Sequence, residues 1–295
     1  MSKQLKWNII KHFSSKKRFG FKTKDVASEF PEKYGGQLNR VLAQMIEEGM
    51  LCKLARDHYH IIPATENPDT YIPDSHQVAK YIMQDKEYYI GYASAMRIHK
   101  LAFQPTLNLA KLNNAKQYKT KLNAAKDNEP KLNEFVVTKD QMKPAIRIFL
   151  GIPYQFVRQD TIRFFGSSSI WINQHEKALV SDLEKTIVDM TANPQYCGGI
   201  IKVAQAIFQA EDRTIHDKLF YYFARYQVKS AKKRFLFLID LLGLEWTEDH
   251  ERMMEELGSG TTLLDPGATN RGRSSKKFRM IINVDPNHIK KKVEG

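Results

Sequence analysis

The eleven residues from Val180 to Met190, VSDLEKTIVDM, carry three carboxylates: Asp182, Glu184 and Asp189. Acids packed this densely are the raw material of a metal-dependent nuclease, which needs carboxylates converging from strand ends and a lysine in a D/E-x-K arrangement. Here Glu184 adjoins Lys185 directly, so the spacing is wrong. Ser181 instead precedes Glu184 by three, and Leu183, Ile187 and Met190 recur at helical intervals, which describes a capping box opening an amphipathic helix. On that reading Ser181 accepts from the Glu184 amide, Glu184 reaches back to the Ser181 amide, and Asp182 places charge where the helix dipole favours it. Two of the three acids are then structural.

Other spacings that suggest chemistry fall short in the same way. HERMMEE at His250 lacks the second histidine of HExxH, GSSS at 166–169 has no lysine after it as a phosphate loop requires, and His216 with Asp217 is a lone pair at a helix start. Cys52 and Cys197 lie far apart and form neither a CxxC pair nor a zinc pattern, so both are read as structural thiols. No set of nucleophile, base and oxyanion donors emerges. The expectation is a protein that is not an enzyme, with no catalytic residue, no metal and no cofactor.

Base-reading chemistry is better represented. In QLNRVLAQMIEEG, residues 37–49, Leu38, Val41, Leu42, Met45 and Ile46 share one side of a helix, leaving Arg40, Ala43, Gln44 and Glu47 on the other, flanked by Gln37 and Asn39. Arg40 can bond bidentately to guanine, Asn39 and Gln44 to adenine, and Ala43 can meet a thymine methyl. Lys22, Lys24, Lys53 and Arg56 are placed to hold phosphates, and Thr23, read as the cap of the preceding helix, stands with them. Glu47 is the one residue of the face that argues against an anionic partner.

The elements that must position these residues are legible in the spacing. Leu5, Ile9, Ile10 and Phe13 make residues 3–14 a helix; a basic loop, SSKKRFGF, follows; KDVASEF is a second helix ended by Pro31; Gly35 and Gly36 open the third, and Gly49 stops it. MLCKLARDHYHIIP reads as two strands turning at Ala55 to Asp57, with Tyr59 and Ile61 inward. Three helices and a hairpin form a winged helix-turn-helix, whose third helix enters the major groove. The stretch LNRVLAQMIEEGMLCKLARDHYHI resembles the winged-helix domains of bacterial transcription regulators. Residues 1–62 hold 12 basic and 6 acidic side chains, residues 271–295 hold 8 and 2, and the whole chain carries +13, which suits an anionic partner.

PATENPDTYIPDS then marks a boundary, giving a winged helix-turn-helix domain at 1–65, a linker at 66–74 and a larger domain at 75–295 that starts with a helix capped by Ser75. Residues 109–133 repeat KLNNAK as KLNAAK between PTLN and PKLN and are expected to be a surface insertion. Strands follow at 134–138, 154–157, 170–173 and 178–180, helices dominate from 181 to 257, and the tail reads as TTLLD, a basic loop NRGRSSKKF and a strand RMIINVD. The lysines of KSAKKRF at 229–235 are expected to be solvated for the most part. The fold class is α+β, a winged helix-turn-helix followed by a mixed α/β domain with a helical C-terminal half. The longest apolar run, Phe235 to Leu244, is broken by Asp240 and is far below the roughly 20 residues that span a bilayer. No secretory signal is read at the N-terminus, so a cytoplasmic protein without membrane contact is expected.

Taken in order behind the winged helix, YYIGYASAMRIHKL, EFVVTK, GIPYQFVRQDTIRFFG, ALVSDLEKTIVDM and YCGGI resemble the AbiEi antitoxins of type IV toxin-antitoxin systems, over most of residues 20–245. The insertion at 109–133 and the tail after 258 depart from that pattern. The resemblance implies a repressor that binds its own double-stranded promoter DNA, as a monomer in solution or a dimer on DNA. It also implies a C-terminal domain that counters a cognate nucleotidyltransferase-like toxin in abortive infection and phage defence. The alternative reading is a nucleic-acid-processing enzyme or its DNA-specificity subunit.

Overall fold

Ile9 and Phe13 on α1 (Ser2–Ser15), Val26 on α2 (Thr23–Glu29) and Leu38, Val41, Leu42 and Met45 on α3 (Leu38–Glu47) meet in one apolar cluster, since each helix repeats its apolar residues every three or four positions. An antiparallel sheet in the order β1-β3-β2 closes the cluster, built from β1 (Gly20–Lys22), β2 (Leu51–Ala55) and β3 (His58–Ile61). Its inner face supplies Phe21, Leu51, Tyr59 and Ile61, and the Phe13 and Phe21 rings stack at 4.5 Å. The segment expected to be a basic loop thus contains a strand. β1 is three residues long and pairs with β3, far along the chain, so no local pattern announces it. This computed structural model describes residues 2–31, 37–55, 57–69, 71, 73–83, 86–101, 133–149, 152–171 and 177–294.

The outer face of the small sheet is turned against α4 (Ser75–Met83). Leu54 shares an apolar cluster with Val78, Ala79 and Met83, and Cys52 and Tyr81 pack at its margin. Gly20 lies directly beneath the Tyr81 ring, where a Cβ would fall 1.8 Å from a ring atom, so any side chain there would push the ring aside. The connecting segment folds back on the first unit: the Tyr71 hydroxyl and His60 Nε2 are 2.9 Å apart, and Pro68 covers Gly49. Asp74, rather than Ser75, caps α4, its Oδ1 accepting from the amides of His76 (2.8 Å) and Gln77 (3.3 Å).

The larger unit is organised on a mixed six-stranded sheet. In chain order its strands are β4 (Tyr88–Ile90), β5 (Glu134–Thr138), β6 (Ile146–Phe149), β7 (Ile152–Arg158), β8 (Ser167–Trp171) and β9 (Lys177–Ser181), arranged β6-β7-β5-β4-β9-β8. Side-chain alternation divides it: Ile90, Val136, Tyr154, Phe156 and Val180 face α4, while Tyr89, Phe135 and Val137 face the helical layer. That layer comprises α5 (Tyr92–Ile98), α6 (Leu183–Ala192), α7 (Ile200–Ala210), α8 (His216–Tyr226), α9 (Lys229–Leu242) and α10 (Glu248–Glu255). The insertion expected at 109–133 lies outside the described residues except for Asn133. β6, an edge strand with Ile146 and Ile148 exposed, has no counterpart in the sequence reading.

The tail is part of this core. β10 (Thr262–Leu263), β11 (Arg273–Ser275) and β12 (Met280–Ile282) form a three-stranded sheet with β12 central, and α11 (Pro286–Glu294) follows; Leu264, Phe278, Met280 and Ile289 are buried in the main cluster. Asp265 Oδ2 accepts from the Ile200 amide at 2.8 Å and so caps α7, reached through Gly199 at φ +89°. KSAKKRF corrects the expectation of solvated lysines. Lys232 pairs with Glu256, Lys233 donates to the Gly260 carbonyl, and Arg234 donates to the carbonyls of Thr191, Ala192, Leu263 and Leu264 at 2.9–3.1 Å. All three are buried, because α9 is enclosed on every side from Ala231 to Ile239.

Candidate nucleic-acid interface

The outward face of α3 is open. Gln37, Asn39, Arg40, Ala43 and Glu47 are exposed and Gln44 is half-buried, while Leu38, Val41, Leu42 and Met45 fix the opposite side in the core. Gly49, at φ +71°, ends the helix: its amide bonds the Ile46 carbonyl at 3.0 Å and the Met50 amide reaches Met45 at 2.8 Å, a left-handed C-cap that turns the chain into β2. Lys53 is exposed on β2, against which α3 packs.

A second group forms where α2 starts. Lys22 lies opposite His58 at the turn end of the hairpin, and the Thr23 amide donates to the Asp57 carbonyl at 3.2 Å, so Lys22, Thr23 and Lys24 sit beside the hairpin turn. Lys24 is exposed and Lys22 half-buried. Thr23 is not the cap it was expected to be. Its Oγ1 is enclosed, makes no hydrogen bond and is out of reach of a phosphate, and the capping contact is instead Asp25 Oδ2 accepting from the Lys22 amide at 2.8 Å. Arg56 lies outside the described residues.

Charge is sorted within this unit. Asp25 is taken by Arg18 (2.6 Å), Glu29 by Lys16 and His12 (both 3.1 Å), and Glu48 by Lys6 (2.6 Å). The hydrogen bond from Lys16 lowers the Glu29 pKa. Among the described residues no carboxylate pairs with Lys22, Lys24, Arg40 or Lys53. The cations of the expected interface are thus among those this unit leaves uncompensated, as are Lys11 and Lys17.

Of the carboxylates of VSDLEKTIVDM, Asp182 stands at the helix start as expected but as the cap itself, Glu184 serves another partner than Ser181, and Asp189, for which no role was expected, is paired. Asp182, not Ser181, caps α6, its Oδ1 accepting from the Lys185 amide at 2.9 Å. Ser181 ends β9 with its hydroxyl 2.8 Å from Thr186 Oγ1, and Glu184 accepts from the Ile215 amide (3.0 Å) and Lys218 (2.8 Å). Asp189 pairs with Lys185 one turn earlier on α6, both wholly buried. Around them Tyr89 Oη accepts from Lys185 Nζ at 3.0 Å, Gln159 Nε2 donates to Asp189 at 3.0 Å, and the Tyr226 ring lies 4.8 Å from the ammonium. Burial lowers the Lys185 pKa, opposed by the charge of Asp189. A Lys–Asp pair at i, i+4 on an otherwise apolar helix was the available signal for this cluster.

A further buried pair ties α4 and α5 to β5. Glu134 accepts from Ser75 (2.8 Å), Ser94 (2.7 Å) and Arg97 (2.8 Å), with His76 Nδ1 at 3.3 Å. Burial opposes ionisation there, yet the charges of His76 and Arg97, with hydrogen bonds from His76 and Ser94, hold the carboxyl at about 2. His250 of HERMMEE is also structural: its Nδ1 accepts from the Thr247 amide at 3.0 Å and its ring stacks on Trp246. Burial pushes both thiols up, Cys52 to about 12. Among the described residues no three His, Cys, Asp or Glu gather where a metal ion could be held, and no helix is long and apolar enough to cross a membrane.

These elements define an α+β protein with an exposed, cation-flanked helix near its N-terminus. No protein-family model and no curated protein sequence matches the chain. In fold it is similar to the RV2827C protein of Mycobacterium tuberculosis, with a TM-score of 0.59 and 12% identity over 92% of this chain and 89% of that one. At that identity the likeness is one of fold alone.

Proposed function

We propose that the first unit is a winged helix-turn-helix that binds double-stranded promoter DNA, and that the chain is an antitoxin and autorepressor of the AbiEi type. One observation carries the DNA half: α3 exposes Asn39, Arg40 and Ala43, and among the described residues no carboxylate pairs with Arg40, Lys22, Lys24 or Lys53. Arg40 and Asn39 have the donors that distinguish base edges, and Lys22, Lys24 and Lys53 have the charge that positions a domain on phosphates. The order helix, strand, helix, helix, strand, strand supports the third helix as the groove reader. The antitoxin half draws on the resemblance of residues 20–245 to AbiEi proteins. Its partner is a nucleotidyltransferase-like toxin.

The test is a titration of purified protein against DNA from upstream of its own reading frame. Arg40→Ala is expected to weaken promoter binding by about 1 to 3 kcal/mol while leaving random-sequence DNA nearly unaffected, the signature of a lost base contact. Equal affinity of wild type and variant for the promoter removes Arg40 as a reader. Cleavage of the DNA on addition of magnesium or manganese would replace the repressor reading with a nuclease.

A further inference from the structure

The C-terminal sheet leaves a second set of cations without partners. Arg271, Arg273, Lys276, Lys277, Ser274, Ser275 and Asn283 line one groove between β11 and the start of α11. Lys277 is committed to Asp240 at 2.6 Å and lies over the Trp246 and Phe278 rings. Arg279, on the adjoining turn, donates to the Gly258 carbonyl. Arg271, Arg273 and Lys276 are exposed, and among the described residues no carboxylate pairs with any of them. The one acid lining the groove, Asp285, is engaged by the Asn287 amide at 3.0 Å at the start of α11. Lys290, Lys291 and Lys292 on the same helix are exposed as well.

The groove is built rather than incidental. Gly272 separates the two arginines, and a Cβ there would fall 2.3 Å from the Ile282 carbonyl oxygen, so glycine lets β11 close on β12 with an arginine on either side. The groove's apolar members are Ile282, Val284 and Pro286, the first two packed against the main core, and none is an exposed aromatic or large aliphatic anchor of the kind a protein partner uses. Apart from the Asp285 carboxylate, the groove's polar groups are guanidinium, ammonium, hydroxyl and amide donors, the set that contacts phosphate oxygens.

We propose that this groove is a second nucleic-acid surface, which grips the phosphate backbone of duplex DNA without reading its sequence. It adds to the α3 reading and shares with it only the class of partner.

Full-length protein titrated with random-sequence duplex over a range of salt tests it. Replacing three phosphate contacts in Arg271→Ala/Arg273→Ala/Lys276→Ala should lower the slope of log affinity against log salt by about 2 to 3, at roughly 0.9 per contact. The same variant should weaken promoter and random DNA alike, with an unchanged thermal midpoint. Arg271→Lys/Arg273→Lys, which keeps the charge, should retain most of the slope. A wild-type slope and affinity in the triple variant overturns the proposal. So does polyglutamate binding as tight as DNA and equally sensitive to the triple change, since any polyanion would then suffice. Failure of the α3 reading shows separately, as an Arg40→Ala protein that keeps its promoter preference while the triple variant still loses slope.

Discussion

Arg234 and Arg40 both sit on helices, yet the first is wrapped by four backbone carbonyls and the second is exposed, with no partner among the described residues. The difference extends to their surroundings. The larger unit buries Lys185, Lys232, Lys233 and Arg234 and matches each to acceptors, whereas the first unit leaves Lys22, Lys24, Arg40 and Lys53 uncompensated. A buried cation needs a complete acceptor set, because an unpaired charge in the interior costs several kcal/mol; an exposed one costs little and stays available to a partner. Cationic residues in this chain are therefore of two kinds, and only the second kind is available for the recognition proposed.

That contrast can be broken at its strongest point first. Lys185→Ala leaves Asp189 buried and unpaired, so it should destabilise the protein by about 3 to 5 kcal/mol in denaturant unfolding, while the folded fraction keeps its promoter affinity. A variant as stable as wild type would mean that the buried pair is not needed.

His60 sharpens the same comparison through pH. Burial holds its pKa near 4, below the usual 6.5, so the fold keeps it neutral. The unfolded chain binds a proton more readily in that interval, and the stability due to neutral His60, complete above pH 6.5, is lost as pH falls towards 4. The loss is about 3 kcal/mol. Unfolding free energies at pH 7 and pH 4 should converge for His60→Phe relative to wild type; parallel profiles would show that His60 does not titrate as burial requires.

The smallest effect belongs to the exposed set. Lys24→Ala should change stability by no more than about 0.5 kcal/mol. If Lys24 meets a phosphate, the salt slope of promoter binding should drop by about 0.9. A large stability change would place Lys24 with the buried cations instead.

Periodicity made much of this architecture legible. The helices of the first unit, its hairpin and α6 to α10 follow from apolar residues at three- and four-residue spacing, and the outward face of α3 follows from the same geometry. What escaped depends on partners remote in sequence. β1, β6 and β11 are short strands defined by the strand beside them, and α11 is a polar helix whose one buried anchor is Ile289. Caps slipped by one residue because Ser181 and Asp182, like Ser75 and Asp74, are adjacent candidates for the same role. KSAKKRF misled for a different reason: three consecutive basic residues look solvated until the tail is known to supply the carbonyls around them.

The contact between Gly20 and Tyr81 has a bearing on how the first sixty residues can be handled. With Cys52, Leu54 and His60 shut beneath α4, the hairpin has a dry back as well as a dry front. A fragment cut after Ile62 would wet a surface made for oil, so the first unit is not a module to be lifted off and studied alone.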